Sequence, residues 1–425
     1  MTISDTNAVQ NDITAPSSGT PRGSWIALLL LSAAQFMLIL DLTIVNIALP
    51  DLSLDLGLTG DAAGWVITAY AIPFGLLMLP GGRAADRFGS RRIFLIGLVM
   101  FTISSMVAGL AINAPLLIAA RAGQGVSAAL MSPAALATIT AMFDGTDRNR
   151  ALGIWGSIGA VGGAAGVLIG GLLTGGPGWR WIFYINVPVG LAIAALLPMY
   201  APYVTPAADR YWSGFLRNFR VVRDRAILSG LYLMVGGSAL MFAIFFLLSF
   251  VLQSRLGWSP VSTGLMFLPV ALGTVVGAQL AGHIVSHMGV RLPSVLALAI
   301  AGLGLALQAY FLDQTWILIG GATVAALGLG VVMVAATIIT MGHAGENQRG
   351  FVSGLLNTLH ELGGAAGVAG FSALAASSIA TPELSAEGFV TSLLVGAGFA
   401  AVATVISIVL VPGGRPKGDV SGFVH

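Results

Sequence analysis

Twelve stretches of mostly apolar residues, each about as long as a membrane crossing requires, constrain this chain more than any other feature. They lie at 25–50, 62–81, 93–112, 115–142, 151–174, 180–200, 226–253, 260–286, 293–312, 315–341, 351–378 and 389–411. A hydrocarbon layer about 30 Å thick takes about 20 residues of helix to cross. Inside it each backbone N–H and C=O must be bonded within the chain, so runs this long are helices; barrel strands need only about 10 residues. Charged residues make up 8% of the 425 residues, against about 25% in soluble domains, too few to cover a water-facing surface of this size. The expected fold class is all-α transmembrane.

The basic residues orient the spans. With the N-terminus in the cytoplasm, all but Arg121, Arg180 and Arg255 of the 19 Lys and Arg fall on the cytoplasmic side, which is the positive-inside pattern. Both termini are then cytoplasmic. These arginines sit in short loops, so no nucleic-acid surface is expected. Cysteine is absent, which leaves no disulfide framework. His283 and His287 are four apart at a helix end, but they read as solvated loop residues, and no metal or cofactor site is expected. No nucleotide loop or nucleophile–base set points to an enzyme.

The chain repeats itself. Gly82, Gly89 and Arg91 recur as Gly282, Gly289 and Arg291, and Arg148 and Gly153 as Arg349 and Gly354. The hexapeptide Gly162–Val167 (GGAAGV) returns unchanged as Gly363–Val368. Two parallel six-helix repeats point to a transporter with its site between the halves. The expected organisation is a disordered cytoplasmic tail (1–24), a six-helix bundle (25–200), a linker (201–225), a second bundle (226–411) and a short tail (412–425). Within the linker, Trp212, Phe215, Leu216, Phe219 and Val222 share one helical face, as in a helix lying on the membrane surface. An ordinary solvated linker is the alternative.

Polar groups inside the spans carry the chemistry. Asp41 lies in an apolar helix, where a charged carboxylate costs about 2.5–3.5 kcal/mol on insertion scales unless paired, neutralised or wet. Arg121 is intramembrane as well. From the 1.5 Å rise per residue, Asp41 lies about 15 Å and Arg121 about 9 Å below the outer ends of their spans, close enough in depth to be partners. An adjacent guanidinium lowers a carboxylate pKa and desolvation raises it, so a carboxylate balanced between them can exchange a proton. A static buried ion pair is the alternative. Glu361 also falls near mid-bilayer, as a proton site, a contact for a cationic substrate or a neutral acid bonded to a neighbouring helix. Gln124 and Asn357 are polar candidates for a substrate cavity, with Trp65, Tyr70, Trp155, Tyr232, Phe242 and Phe246 as apolar contacts.

The segment Gly82–Arg92 (GRAADRFGSRR) resembles the signature loop of the major facilitator superfamily. Leu40–Pro50 (LDLTIVNIALP), Trp179–Gly190 (WRWIFYINVPVG) and Leu355–Thr358 (LLNT) are similar to motifs of its drug:proton antiporter branch usually described with fourteen spans. Arg121–Gly125 (RAGQG) and the glycines Gly153, Gly162, Gly166, Gly170 and Gly171 resemble two further motifs of the family. The resemblance implies a major facilitator fold of twelve helices in two repeats. It implies a monomeric exporter of amphipathic drugs or antibiotic-like metabolites, driven by protons and set in a bacterial inner membrane. Gly82, Asp86, Arg87, Gly89 and Arg91 would form a latch closing the cytoplasmic ends, beyond the plain basic loop that topology alone requires. Asp41, Arg121 and Glu361 would couple protons. The glycine stripe of the fifth span would pack against the opposite half. Three departures stand out. Val167 replaces a proline of the antiporter motif, Glu361 stands where the branch more often has an amide, and the two extra central helices are missing. A nutrient symporter or facilitator, and a receptor or scaffold without flux, are the other expectations.

Overall fold

The computed structural model describes residues 22–58, 60–202, 219–345, 348–381 and 385–413. Twelve of its helices are long and apolar enough to cross a membrane. They are α1 (Arg22–Leu56), α2 (Gly60–Phe88), α3 (Ser90–Gly109), α4 (Ala114–Met142), α5 (Gly145–Gly175), α6 (Trp181–Tyr200), α7 (Arg225–Arg255), α8 (Pro260–Met288), α9 (Arg291–Tyr310), α10 (Thr315–His343), α11 (Arg349–Ala380) and α12 (Glu387–Leu410). There is no strand among the described residues. The expected N-terminal tail lies outside them except at 22–24, where α1 has already begun. Most of the expected surface helix, including Trp212, Phe215 and Leu216, also lies outside, and a 3-10 turn at Phe219–Arg223 leads into α7.

The twelve spans match those read from hydropathy, but several helices run on past their apolar stretch. Within Gly82–Arg92, expected as a loop, α2 continues to Phe88 and α3 starts at Ser90. The reversal is made by Gly89 alone, with φ 92°, a conformation glycine adopts without steric cost. Gly289, with φ 76°, makes the same turn between α8 and α9. Arg91 then donates from Nη1 to Ala201 O (2.8 Å) and from Nη2 to Pro198 O (2.9 Å), at the end of α6. Arg291 donates from Nε to Val411 O (2.7 Å) at the end of α12. In both repeats an arginine thus satisfies carbonyls that a helix end leaves without partners.

The repeated hexapeptide has one structural job in both halves. A Cβ on Gly162 would lie 3.3 Å from Ile39 and one on Gly170 2.9 Å from Ile44, and Gly166 sits against Thr43. Gly363 approaches Val235 O, 2.7 Å from where its Cβ would be, and Gly367 lies on the backbone of Ala239. These glycines bring α5 onto α1 and α11 onto α7. The expectation that the stripe on α5 packs against the opposite half is therefore corrected for most of its members. Of its members only Gly171 does so, against Pro260 and Val261 on α8, where Gly175, one turn further on, also meets Val261. Gly153 has open space around its Cβ position.

Three buried clusters hold the bundle. One fills the arginine-rich end of the first half (Leu31, Met37, Phe94, Phe101, Phe143). A second fills the same end of the second half (Ile227, Val285, Leu298, Val332). The third draws on both halves at the far end (Ile44, Ile47, Phe246, Phe250, Phe267). There Ser249 Oγ donates to Asn46 O (2.5 Å) and Gln253 Nε2 to Ile47 O (2.9 Å), tying α7 to α1. The α2–α11 contact runs along the helices, from Gly64 against Ser372 through Gly75 against Glu361 to Leu79 against Gly354. Overpacking a filled contact typically costs about 1–3 kcal/mol. Gly367→Ala should therefore lower the thermal stability of the purified protein. Gly370→Ala, where nothing lies within 4 Å, should be neutral or slightly stabilising, and a melting series in detergent compares the two.

Candidate functional site

Asp41 and Arg121 meet as their depths suggested. Both side chains are fully buried, and Arg121 Nη1 lies 2.5 Å from Asp41 Oδ2. Gln124 Nε2 and Asn186 Nδ2 each donate to Asp41 Oδ1 at 3.0 Å. Arg121 Nη1 also reaches Gln124 Oε1 (2.9 Å), and Nε donates to Val66 O (3.1 Å). Ser105 Oγ accepts from Gln124 and Asn186 and donates to Phe183 O (3.0 Å). The Arg121 guanidinium lies 4.4 Å from the centroid of the Tyr70 ring, a cation–π distance. Five side chains, Tyr70 of α2, Ser105 of α3, Arg121 and Gln124 of α4 and Asn186 of α6, thus gather around the one carboxylate on α1. Three N–H donors point at its two oxygens, and removing one member of such a buried pair leaves the other uncompensated, at about 3–5 kcal/mol.

A second polar locus faces it across the interface between the halves. Glu361 on α11 is buried and lies beside α2: a Cβ on Gly75 would be 3.2 Å from its Cβ. Tyr70 is in electrostatic range of Asp41, Arg121 and Glu361. The Tyr70 hydroxyl, Arg121 Nη2 and Glu361 Oε2 are all buried without a hydrogen-bond partner among the described residues. Counting the 1.5 Å rise from the arginine-side helix ends, Asp41 and Tyr70 stand about 28 Å in, and Glu361 and Gly75 about 19 Å. Helix α2 therefore carries one residue level with each carboxylate.

The remaining candidates are dispersed. Asn357 lines a cavity of about 390 Å³ between α7, α10 and α11, together with Met234, Met333, Thr337, Met341, Ser353 and His360. Gln124, expected in a cavity, is instead enclosed in the Asp41 cluster. Phe242 packs edge-on to His360, ring centroids 5.6 Å apart. Phe246 is fully buried against Phe250, and Tyr232 donates to Ala403 O on α12. Trp155 packs on the core of the first half, whereas Trp65 is 52% exposed. Of the expected latch, Asp86 is exposed and forms no ion pair among the described residues, Arg87 lies over the Phe88 ring, and Arg91 is committed to the end of α6. Ser105 and Asn186 were not singled out from sequence. Asn186 carried a signal, an amide in an apolar span within the sixth-helix motif; Ser105 carried none, because serines are common in membrane helices.

Residues 31–368 match the family model of the Major Facilitator Superfamily. The chain is 33% identical to the puromycin resistance protein pur8 of Streptomyces alboniger, over 96% of this chain and 94% of that protein. It is 32% identical to the cephamycin export protein CmcT of Amycolatopsis lactamdurans (81% and 83% covered) and 30% identical to the lincomycin resistance protein of Streptomyces lincolnensis (84% and 85%). The alignment with pur8 spans 479 positions, 54 more than the 425 residues here, so part of that relative has no counterpart in this chain. Among solved structures, the fold is similar to a bacterial homologue of the human lysosomal transporter Spinster in an inward-facing, occupied conformation, with a TM-score of 0.77 at 18% identity, covering 92% of this chain and 97% of that one. It is also similar to the nucleoside transporter NupG, with a TM-score of 0.72 at 15% identity, 92% and 100% covered. The chain belongs to the major facilitator superfamily and is a multi-pass membrane protein with the twelve-helix transporter fold of that family.

Proposed function

We propose that this protein exports amphipathic antibiotics or drugs in exchange for protons, by alternating access across a bacterial inner membrane. The relatives named for puromycin resistance, cephamycin export and lincomycin resistance support the cargo. The observation that carries the coupling is Asp41, a carboxylate with no exposed surface that is held by Arg121, Gln124 and Asn186. A site that must gain and lose a proton uses such a buried carboxylate, with a guanidinium beside it to answer the change in charge.

The arginine-rich side is the cytoplasmic side in this reading. The cavity of about 390 Å³ reaches that side, since Met341 lies two residues from the end of α10, while α1 and α7 are tied at the far end. The conformation is then inward-facing, the state in which an antiporter releases its proton and takes up substrate. Proton binding to Asp41 removes the charge that holds Arg121 and frees the guanidinium to turn. Glu361, about 9 Å nearer the cytoplasm by helix rise, serves as a second proton group along the exit. The two six-helix units, residues 25–200 and 226–411, rock about the α2–α11 contact. Asp86, with Gly82, Arg87 and Gly89 around it, closes the cytoplasmic ends in the opposite state. The protein works as a monomer with a proton and one small molecule as its partners.

Asp41→Asn should reach the membrane and lose gradient-driven transport. In inverted vesicles carrying an imposed proton gradient, wild type should accumulate puromycin and the variant should not. Accumulation by the variant, or wild-type movement in the symport direction, contradicts the reading. In the same vesicles Glu361→Gln should impair a cationic and an uncharged substrate together. Selective loss of the cation would make Glu361 a substrate contact, and no loss of either would make it structural. Asp86→Ala should slow turnover severalfold while substrate affinity stays within about threefold, a change well under the 1.4 kcal/mol of a tenfold step; lost affinity at normal turnover would put Asp86 in the binding site.

A further inference from the structure

The cavity between α7, α10 and α11 has a chemistry of its own. Its volume of about 390 Å³ falls in the range of small-molecule pockets, about 300–1,000 Å³. Among the described residues, three of the nine that line it are methionines (Met234, Met333, Met341), and none is Asp, Glu, Lys or Arg. Methionine is common at binding surfaces that accept varied partners, because its chain is flexible and its sulfur makes favourable contacts with ring edges. Four polar side chains join them. Asn357 donates one amide N–H to Ser353 O (3.1 Å), which leaves its carbonyl oxygen for a ligand. Thr337 donates to Met333 O (3.0 Å) and keeps its acceptor capacity. His360 is held edge-on by Phe242 and has no hydrogen-bond partner among the described residues.

The Asp41 cluster lies elsewhere. All of its side chains belong to the first half, and all of the cavity's belong to the second. By helix rise the cavity residues stand within about 17 Å of the arginine-side helix ends and Asp41 about 28 Å in. Glu361 follows His360 in sequence but lies against Gly75 of α2 and is not among the cavity residues.

We propose that this cavity is the substrate pocket and takes an uncharged, planar aromatic group, gripped by methionine sulfurs and hydrogen-bonded by Asn357, Thr337, Ser353 and His360, with no carboxylate shared with the proton. This rests on the reading of the protein as a drug exporter and deepens it. Proton and substrate then occupy different halves, and coupling passes through the movement of the halves rather than through competition for one group.

Binding to the purified, detergent-solubilised protein tests it, with puromycin, which carries two aromatic ring systems, and lincomycin, which carries none. Wild type should bind puromycin at least tenfold more tightly than lincomycin. Thr337→Trp, which fills the cavity, should weaken puromycin at least tenfold. The triple variant Met234→Leu, Met333→Leu, Met341→Leu keeps the volume and removes the sulfurs, so it should weaken puromycin severalfold even if the tryptophan variant fails to fold. Asp41→Asn, which fixes the neutral state, should weaken puromycin less than either pocket variant does. Puromycin bound no better than lincomycin, or bound equally by the pocket variants, overturns the pocket. Puromycin affinity lost in Asp41→Asn but retained in the methionine variant overturns the separation of sites. Either result leaves the exporter reading standing if vesicle transport is intact; absent transport with intact puromycin binding would strike that reading and spare the pocket.

Discussion

Lipid cannot hydrogen-bond, and every polar group that this chain carries into the membrane has to find its partner in the chain. Most do so locally. Thr43, Thr68, Thr102, Thr138 and Thr340 return their hydroxyls to carbonyls four residues back on their own helices. Asp41 has no such local answer, since a carboxylate accepts and cannot donate. Its partners come from α4 and α6, and Ser105 of α3 braces two of them. The packing order of the first half follows from this one carboxylate as much as from any apolar contact.

Helices in lipid gain little from apolar burial against each other, so close approach is set by small residues. The hexapeptide repeated at Gly162–Val167 and Gly363–Val368 serves that purpose in each half, as do Gly125 against Tyr70 and Gly75 against Glu361. The last two shape the two polar loci. Gly125 lets α2 lie on α4 so that Tyr70 covers the Arg121 guanidinium, and Gly75 lets α11 bring Glu361 to the same helix. Helix α2 thereby touches both polar loci, and three of the twelve buried polar atoms without partners among the described residues, those on Tyr70, Arg121 and Glu361, lie on the helices it joins. A structure that moves between two states has reason to leave such groups unsatisfied in one of them.

The spans, the repeat and the Asp41–Arg121 pair were legible in the sequence because each rests on a strong local signal: length of apolar run, ordered recurrence, and a charge where charge is costly. Other features were not. Ser105 and Asn186 act through tertiary contact, and a serine in a membrane helix says nothing about what lies across from it. The partner of the glycine stripe was misread because spacing shows that a helix approaches, not which one; α1 wins over α8 at Gly162, Gly166 and Gly170. The signature segment reads as a loop because its arginines interrupt hydropathy, yet hydropathy reports solvent and not backbone, and the helix continues to Gly89. The methionine-lined cavity joins three helices separated by up to about 100 residues of sequence, a distance over which periodicity carries no information.

The account turns on Asp41 changing its protonation during transport. Infrared difference spectroscopy on the protein in lipid bilayers reads this directly, through the C=O stretch of a protonated carboxyl group. A band absent in Asp41→Asn should grow as the pH falls and shrink when substrate is added. A wild-type Asp41 that stays ionised at every pH at which the protein transports would contradict the account.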